Sequence, residues 1–227
     1  MKVYVPDYYQ EFHCIAGACK HTCCKGWEID VDQDSLDRYQ SFPDIMKHIS
    51  MEETPHFILK DEETCPFLRE DCLCQMYLDH GEDFLCQICT DHPRFRNFWN
   101  DRIEMGIGLA CEEAARIILT RTKAMRLVVL EDDGIEEELP EDEEWLMDVR
   151  QNLYDQISGG GPEARLMEYL IYRHIADALY DDRLEERIEF VQNSFDQIME
   201  CWQETDGTID ALIECARAFS NECEYME

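Results

Sequence analysis

Apolar positions in the last third of the chain recur at helical spacing. Trp145, Val149, Leu153 and Ile157 stand four residues apart, and Leu166, Leu170, His174 and Ala178 repeat that interval. Leu184, Ile188, Val191, Phe195, Ile198 and Trp202 alternate steps of four and three, the signature of an amphipathic helix with one buried stripe. Gly159-Gly160-Gly161-Pro162 separates two of these segments and places proline at a helix start. Asp206 or Thr208 caps a last helix that carries Ile209, Leu212, Ala216 and Phe219 on one face. The pattern predicts a helical bundle over 145–227.

Before residue 131 the periodicity is shorter and more broken. Val3 and Val5 alternate with polar neighbours and predict a short strand. Residues 28–32 alternate, and Asp34-Ser35 caps a helix running from Leu36 towards Tyr39. Pro43 interrupts that helix or starts a new one. Residues 112–121 predict a helix with Ala115, Ile118 and Leu119 on one face, and residues 125–130 a strand. Residues 131–144 hold ten carboxylates around Gly134 and Pro140, which reads as a solvated linker. The expected organisation is therefore a cysteine-rich module over 1–130, an acidic linker over 131–144 and the bundle over 145–227. The fold class expected is mainly α, with an irregular N-terminal metal-binding module containing little β.

Cysteine changes this picture most. Of 13 cysteines only Cys201, Cys215 and Cys223 lie in the bundle, where they read as small core residues or surface thiols. Cys14, Cys19, Cys23 and Cys24 fall within eleven residues; Cys65, Cys72, Cys74, Cys86, Cys89 and Cys111 follow. Thiolates are the soft ligands that select zinc or iron–sulfur clusters, and close spacing within one segment is how such sites are built. The vicinal pair Cys23-Cys24 does not fit one ion without strain, so it is divided between two sites or between a ligand and a buried thiol. A charged turn between Cys65 and Cys74 predicts a small hairpin, and an extended segment there would point Cys72 and Cys74 the same way. Cys86-x-x-Cys89 is a metal or redox spacing, without the βαβ context of a thioredoxin-like motif.

The acidic balance is large: 52 Asp and Glu against 20 Lys and Arg, a net charge of −32. That field repels phosphate backbones and anionic lipid, so neither nucleic acid nor membrane is an expected partner, whereas a lysine-bearing protein is. Residues 1–10 show no basic run followed by an apolar stretch, and no segment has the apolar length of a transmembrane helix. A cytoplasmic setting with reduced thiols is the expectation, favouring metal over disulfides.

The run Cys14-x4-Cys19-x3-Cys23-Cys24-x-Gly26-Trp27, with Cys65-Pro66-Phe67-Leu68, Leu73-Cys74, Cys89-x3-Pro93-Arg94 and Cys111-x-Glu113-Ala114, resembles the flagellin lysine-N-methylase family. More loosely, it is similar to a wider group with a zinc- or iron-chelating cysteine-cluster domain. The likeness covers roughly residues 10–122. It implies metal ligands at Cys14, Cys19, Cys23, Cys24, Cys65, Cys74, Cys89 and Cys111, with Cys72 and Cys86 additional to the pattern. It also implies methyl transfer from S-adenosylmethionine to lysines of flagellin, in an enzyme holding an iron–sulfur cluster (4Fe-4S) or zinc. The residues themselves offer no Gly-x-Gly-x-x-Gly after a strand, so a Rossmann-type cofactor site is not expected. Tyr8, Tyr9, Trp27, Tyr39, Phe95, Phe98 and Trp99 are candidate walls for a lysine pocket; no catalytic residue is assigned. The rival readings are a non-catalytic zinc or iron–sulfur binding or trafficking module and a thiol redox protein.

Overall fold

The computed structural model describes residues 1–135 and 137–223. In chain order it contains strand β1 (Lys2–Pro6), helices α1 (Gln33–Tyr39) and α2 (Pro43–Met46), and the short strands β2 (Ile49–Ser50) and β3 (His56–Phe57). Helices α3 (Gln75–His80) and α4 (Gln87–Asp91) precede the hairpin β4 (Arg94–Phe98) and β5 (Arg102–Ile107). Helix α5 (Glu112–Leu119), strand β6 (Leu127–Asp132) and helices α6 (Glu141–Asp155), α7 (Pro162–His174), α8 (Ala178–Asp181), α9 (Leu184–Gln203) and α10 (Ile209–Cys223) complete it. The chain is mainly α, as the periodicity predicts.

It divides into two compact units. Unit 1 comprises Met1–His13 and Pro93–Glu227, and unit 2 is Cys14–His92. This corrects the expected boundary at 131–144. The reason is pairing: β1 lies between β5, parallel, and β6, antiparallel, in a four-stranded sheet ordered β4-β5-β1-β6. A strand from residues 2–6 is thus built into a sheet whose other members come after residue 93. Unit 2 is, in sequence, an insertion between β1 and β4. Helix α5, expected with the cysteine module, packs instead on α7 and α10. The acidic segment is not wholly a linker either, since β6 runs to Asp132 and α6 starts at Glu141.

The sheet is also more β structure than expected. The β4–β5 hairpin falls where the sequence shows arginines rather than alternation, and its register brings Phe95 opposite Gly106. A Cβ at Gly106 would stand 2.2 Å from the Phe95 ring, so the glycine is there for close approach and not for a phosphate.

The core of unit 1 joins α5, α7, α9 and α10 through Leu119, Leu166, Leu170, Ile198 and Leu212. The stripe on α9 is buried at Val191 and Ile198 and packed against that core at Ile188, Phe195 and Trp202. Thr208 caps α10, its hydroxyl accepting from the Ala211 N–H at 3.3 Å. Cys201 and Cys215 are not unlinked thiols, as expected, but form a disulfide between α9 and α10 with Cα atoms 5.9 Å apart. A charged pair lies deep inside this unit: Arg150 of α6 donates two hydrogen bonds to Glu104 of β5, at 2.5 and 2.7 Å. Among the described residues no helix is long and apolar enough to cross a membrane.

Unit 2 has its own core of Ile29, Val31, Leu36, Tyr39, Ile45, Phe57 and Met76, into which Cys65 and Cys86 are buried. Its helices are short and its only strand ladder is β2–β3, so local hydrogen bonds set its path. Residues 28–32 alternate as predicted, with Ile29 and Val31 inward, but they make one isolated bridge, Asp30 with His56, rather than a strand.

Candidate metal centre

Four stretches of unit 2 bring thiols together. Residues 23–26 run beside 63–65: the Cys65 N–H donates to the Cys24 carbonyl at 2.8 Å and the Gly26 N–H to Glu63 at 3.1 Å. The Trp27 indole N–H closes this turn onto the Cys23 carbonyl at 2.8 Å. From Cys65 the chain turns back through a bridge between Leu68 and Cys74, with the Gln75 N–H donating to Phe67 at 2.9 Å. The predicted hairpin-like turn is present, but Cys72 is not extended. Its φ is +60°, and its side chain is exposed where that of Cys74 is half-buried.

Cys86 and Cys89 sit at the start of α4, and one carboxylate fixes that start. Asp32 accepts from the Ser35 N–H at 2.9 Å, capping α1, and from the Gln87 N–H at 2.7 Å. Burial works against its charge, but the Gln87 and Ser35 amides outweigh this and hold the carboxyl below its usual value. The cap lies two residues before the predicted Asp34-Ser35, and its second bond, to a residue 55 positions away, has no sequence signal.

The sulfurs meet as pairs. Cys86 and Cys89 are 3.4 Å apart. Cys24 is hydrogen-bonded through its thiol to Cys23 and Cys65, and these contacts, against burial, hold it well below the ordinary thiol pKa. Its partner Cys65 is pushed up, first by that same hydrogen bond and then by burial. Cys89 is likewise pushed up by Cys86 and by burial, while Cys86 is lowered by Cys89. Within each pair the hydrogen bond favours the thiolate at one sulfur, Cys24 or Cys86, and the thiol at the other. Burial raises Cys74, and the charges of Cys24 and Cys86 raise it further. His92, whose ring stacks on Trp27 at 6.2 Å between centroids, adds a favourable field at Cys24.

Of the eight cysteines that the resemblance implies, Cys23, Cys24, Cys65, Cys74 and Cys89 take part in this set. Cys14 is exposed, its sulfur accepting only a local bond from the Ala16 N–H at 3.4 Å. Cys19 follows a single helical turn at residues 16–18. Cys111 belongs to unit 1, at the N-terminus of α5. Cys86, set aside in the sequence pattern, joins the set and is 1% exposed. Its signal was the Cys-x-x-Cys spacing. Of the aromatic walls expected for a lysine pocket, Tyr8, Tyr9, Phe95 and Trp99 belong to the core of unit 1, and Trp27 and Tyr39 to that of unit 2. Tyr39 is core, its hydroxyl bound to the Phe84 carbonyl at 2.8 Å, Trp99 is buried, and Phe98 is exposed on β4.

The donor set fits a thiophilic metal: buried Cys65 and Cys86 and half-buried Cys24, Cys74 and Cys89 are soft ligands, and hydrogen bonds between them favour the thiolate that a cation needs. Among the described residues no three of these sulfurs all lie within 4.8 Å of one another. Zinc bound by four thiolates at about 2.3 Å would hold them roughly 3.8 Å apart. If the set holds metal, substituting Cys86→Ser should lower bound metal per chain at least twofold, and Cys72→Ser should not. Elemental analysis of the two purified variants checks this, and equal loss from both would contradict the sorting.

No family model matches the chain, and no solved structure matches it. Two lysine-N-methylases, from Salmonella typhimurium and Salmonella choleraesuis, are each 28% identical to it over 136 residues, covering 54% of this chain and 33% of theirs. The flagellar biosynthetic protein FliU of Salmonella muenchen is 27% identical over 134 residues, covering 54% of this chain and 79% of that protein. The chain therefore spans about a third of the length of the two lysine-N-methylases it matches. These relatives bear out the likeness carried by the cysteine motifs: the chain is similar to the flagellin lysine-N-methylase family.

Proposed function

We propose that this chain acts in the methylation of lysine side chains on flagellin, with S-adenosylmethionine as methyl donor and a metal centre held by the thiols of unit 2. The observation that carries the reading is the convergence of Cys24, Cys65, Cys74, Cys86 and Cys89 within the stretch whose motifs resemble the methylases. The paired, spread arrangement of sulfurs suits an iron–sulfur cluster better than one zinc ion, whose tetrahedron would need them closer. When bound, such a centre would supply Lewis-acid or electron-transfer chemistry. The chain's own groups bury it, divide charge between thiols and orient α4 through Asp32.

The carboxylate excess supports a cationic substrate, because it lowers the free energy of a lysine-rich surface near the protein. That steering is screened beyond a Debye length of about 8 Å at physiological ionic strength. The metal-loaded protein should add single-methyl mass steps to lysines of flagellin in the presence of S-adenosylmethionine, at a rate that falls as salt rises. Mass spectrometry of the incubated flagellin decides. No mass step, with the centre verified as loaded, would favour the metal-binding or trafficking module, a reading the thiol set satisfies without any catalytic group.

A further inference from the structure

Unit 1 buries more hydrogen-bond donors in one place than it supplies acceptors. Arg165 of α7 is 4% exposed, and its Nη2 lies 3.1 Å from Glu168 Oε1, yet its Nε and Nη1 reach no acceptor. Arg121 donates from Nη2 to Asp7 at 2.7 Å, while its buried Nε has no partner. The Tyr154 hydroxyl of α6 is buried without one as well. These groups surround a single carboxylate. The second oxygen of Glu168 accepts the Met125 N–H at 3.1 Å, and the Tyr8 hydroxyl reaches the Met125 sulfur at 3.9 Å. The Arg121 guanidinium lies over the Tyr8 ring at 4.7 Å. Burial, opposed by the Met125 amide and by both guanidinium groups, holds the Glu168 carboxyl above its usual value. Tyr154 is raised by burial first, and Glu168 adds to it.

A buried donor without an acceptor costs about 1–3 kcal/mol, and folded proteins rarely tolerate one, let alone four atoms around one point. The missing component is an acceptor. A guanidinium edge matches the two oxygens of a carboxylate in its own plane. Two arginines against Asp7 and Glu168 leave the site near neutral, which disfavours a dianionic phosphate and suits a monoanion. Glu168 in turn is the charged acceptor beside Arg165, placed to meet an ammonium group.

We propose that Arg165, Arg121, Tyr154 and Glu168 form a binding site for an α-amino-acid head group, its carboxylate on the two arginines and the tyrosine and its ammonium on Glu168. Under the methylase reading, on which this identification of the ligand rests, the head group is that of S-adenosylmethionine. A free amino acid such as methionine carries the same chemistry.

Calorimetry on the full chain separates the cases, with S-adenosylmethionine, its decarboxylated form and methionine as probes. The wild type should bind S-adenosylmethionine at least tenfold more tightly than the decarboxylated form. Arg165→Met should remove that preference. Because Arg165→Met carries a folding risk, Tyr154→Phe is the second variant. It deletes a hydroxyl with no partner in the free protein, so its melting temperature should be unchanged. Its affinity for S-adenosylmethionine should fall about three- to tenfold, with none lost for the decarboxylated form. Equal binding of both forms, or a Tyr154→Phe variant unchanged towards both, overturns the site and leaves the methylase reading standing. If S-adenosylmethionine does not bind but methionine does, with loss in Tyr154→Phe, the site stands and the methylase reading falls. If no probe binds, water satisfies these donors and the proposal is overturned.

Discussion

If unit 2 holds a metal, as proposed, stripping it is expected to unfold Cys14–His92 and to leave most of unit 1 folded. The interval is set by the fold. Pro93–Cys111 belongs with the β4–β5 hairpin and the bundle, so it should survive. Unit 2 has 79 residues, short helices and a two-residue ladder, and two of its buried positions are sulfurs whose protons a metal would displace. Domains of this size hold only a few kcal/mol from their core alone. Thiolate metal sites in small folds contribute on the order of 10 kcal/mol at neutral pH, and that binding energy is folding energy. Without it, half-buried Cys24 and buried Cys86 would have no cation to compensate a thiolate, and protonating every thiol would loosen the contacts. Limited proteolysis with and without a strong chelator under reducing conditions is the measurement, with cleavage expected within 14–92 and a resistant helical remainder. Undiminished resistance across 14–92 after verified metal removal would show that the sulfurs of unit 2 do not hold a stabilising metal.

What the sequence made legible was whatever depends on near neighbours. Helices α6, α7, α9 and α10 came from spacing and from Pro162 and Thr208, β1 from short alternation and β6 from its β-branched residues, because those signals live within one element. The β4–β5 hairpin was hidden. Its arginines read as charge rather than as exposed strand positions, and its glycine serves ring packing that appears only once Phe95 lies opposite. The unit boundary was hidden for a related reason. A five-residue strand at the N-terminus carries no mark of pairing with residues a hundred positions away, and ten carboxylates advertise solvent wherever they lie. In the candidate site, identity was legible and sorting was not. The family pattern ranked Cys86 below Cys14, whereas the structure caps α4 at Cys86 with Asp32, buries Cys86 and leaves Cys14 at the surface. The donors around Glu168 gave no signal at all, since Tyr8, Arg121, Tyr154 and Arg165 lie far apart in sequence and none is unusual for its segment.

Removing either member of the Glu104–Arg150 pair is expected to cost unit 1 about 3–5 kcal/mol, the usual penalty for orphaning a buried ion. Glu104 is 0% exposed and Arg150 is 5% exposed, and two parallel hydrogen bonds at 2.5 and 2.7 Å join them. The guanidinium also lies 4.9 Å over the Trp99 ring and 5.8 Å over that of Tyr172, so it fixes α6 against the sheet through charge and through packing. Arg150→Met keeps much of the side chain's bulk but leaves the Glu104 carboxylate in an apolar setting, where water cannot compensate it. Glu104→Met keeps much of the bulk and leaves the guanidinium unneutralised and without its two acceptors. The double substitution Glu104→Met with Arg150→Met removes both charges, so it should cost less than the two single changes added together. The difference is the coupling between the two groups, measurable because they touch directly. Chemical denaturation followed by helical circular dichroism reads all four proteins. Single-variant losses below about 1 kcal/mol would mean that water reaches the pair and that the α6–sheet contact is held by Trp99 and Tyr172 alone.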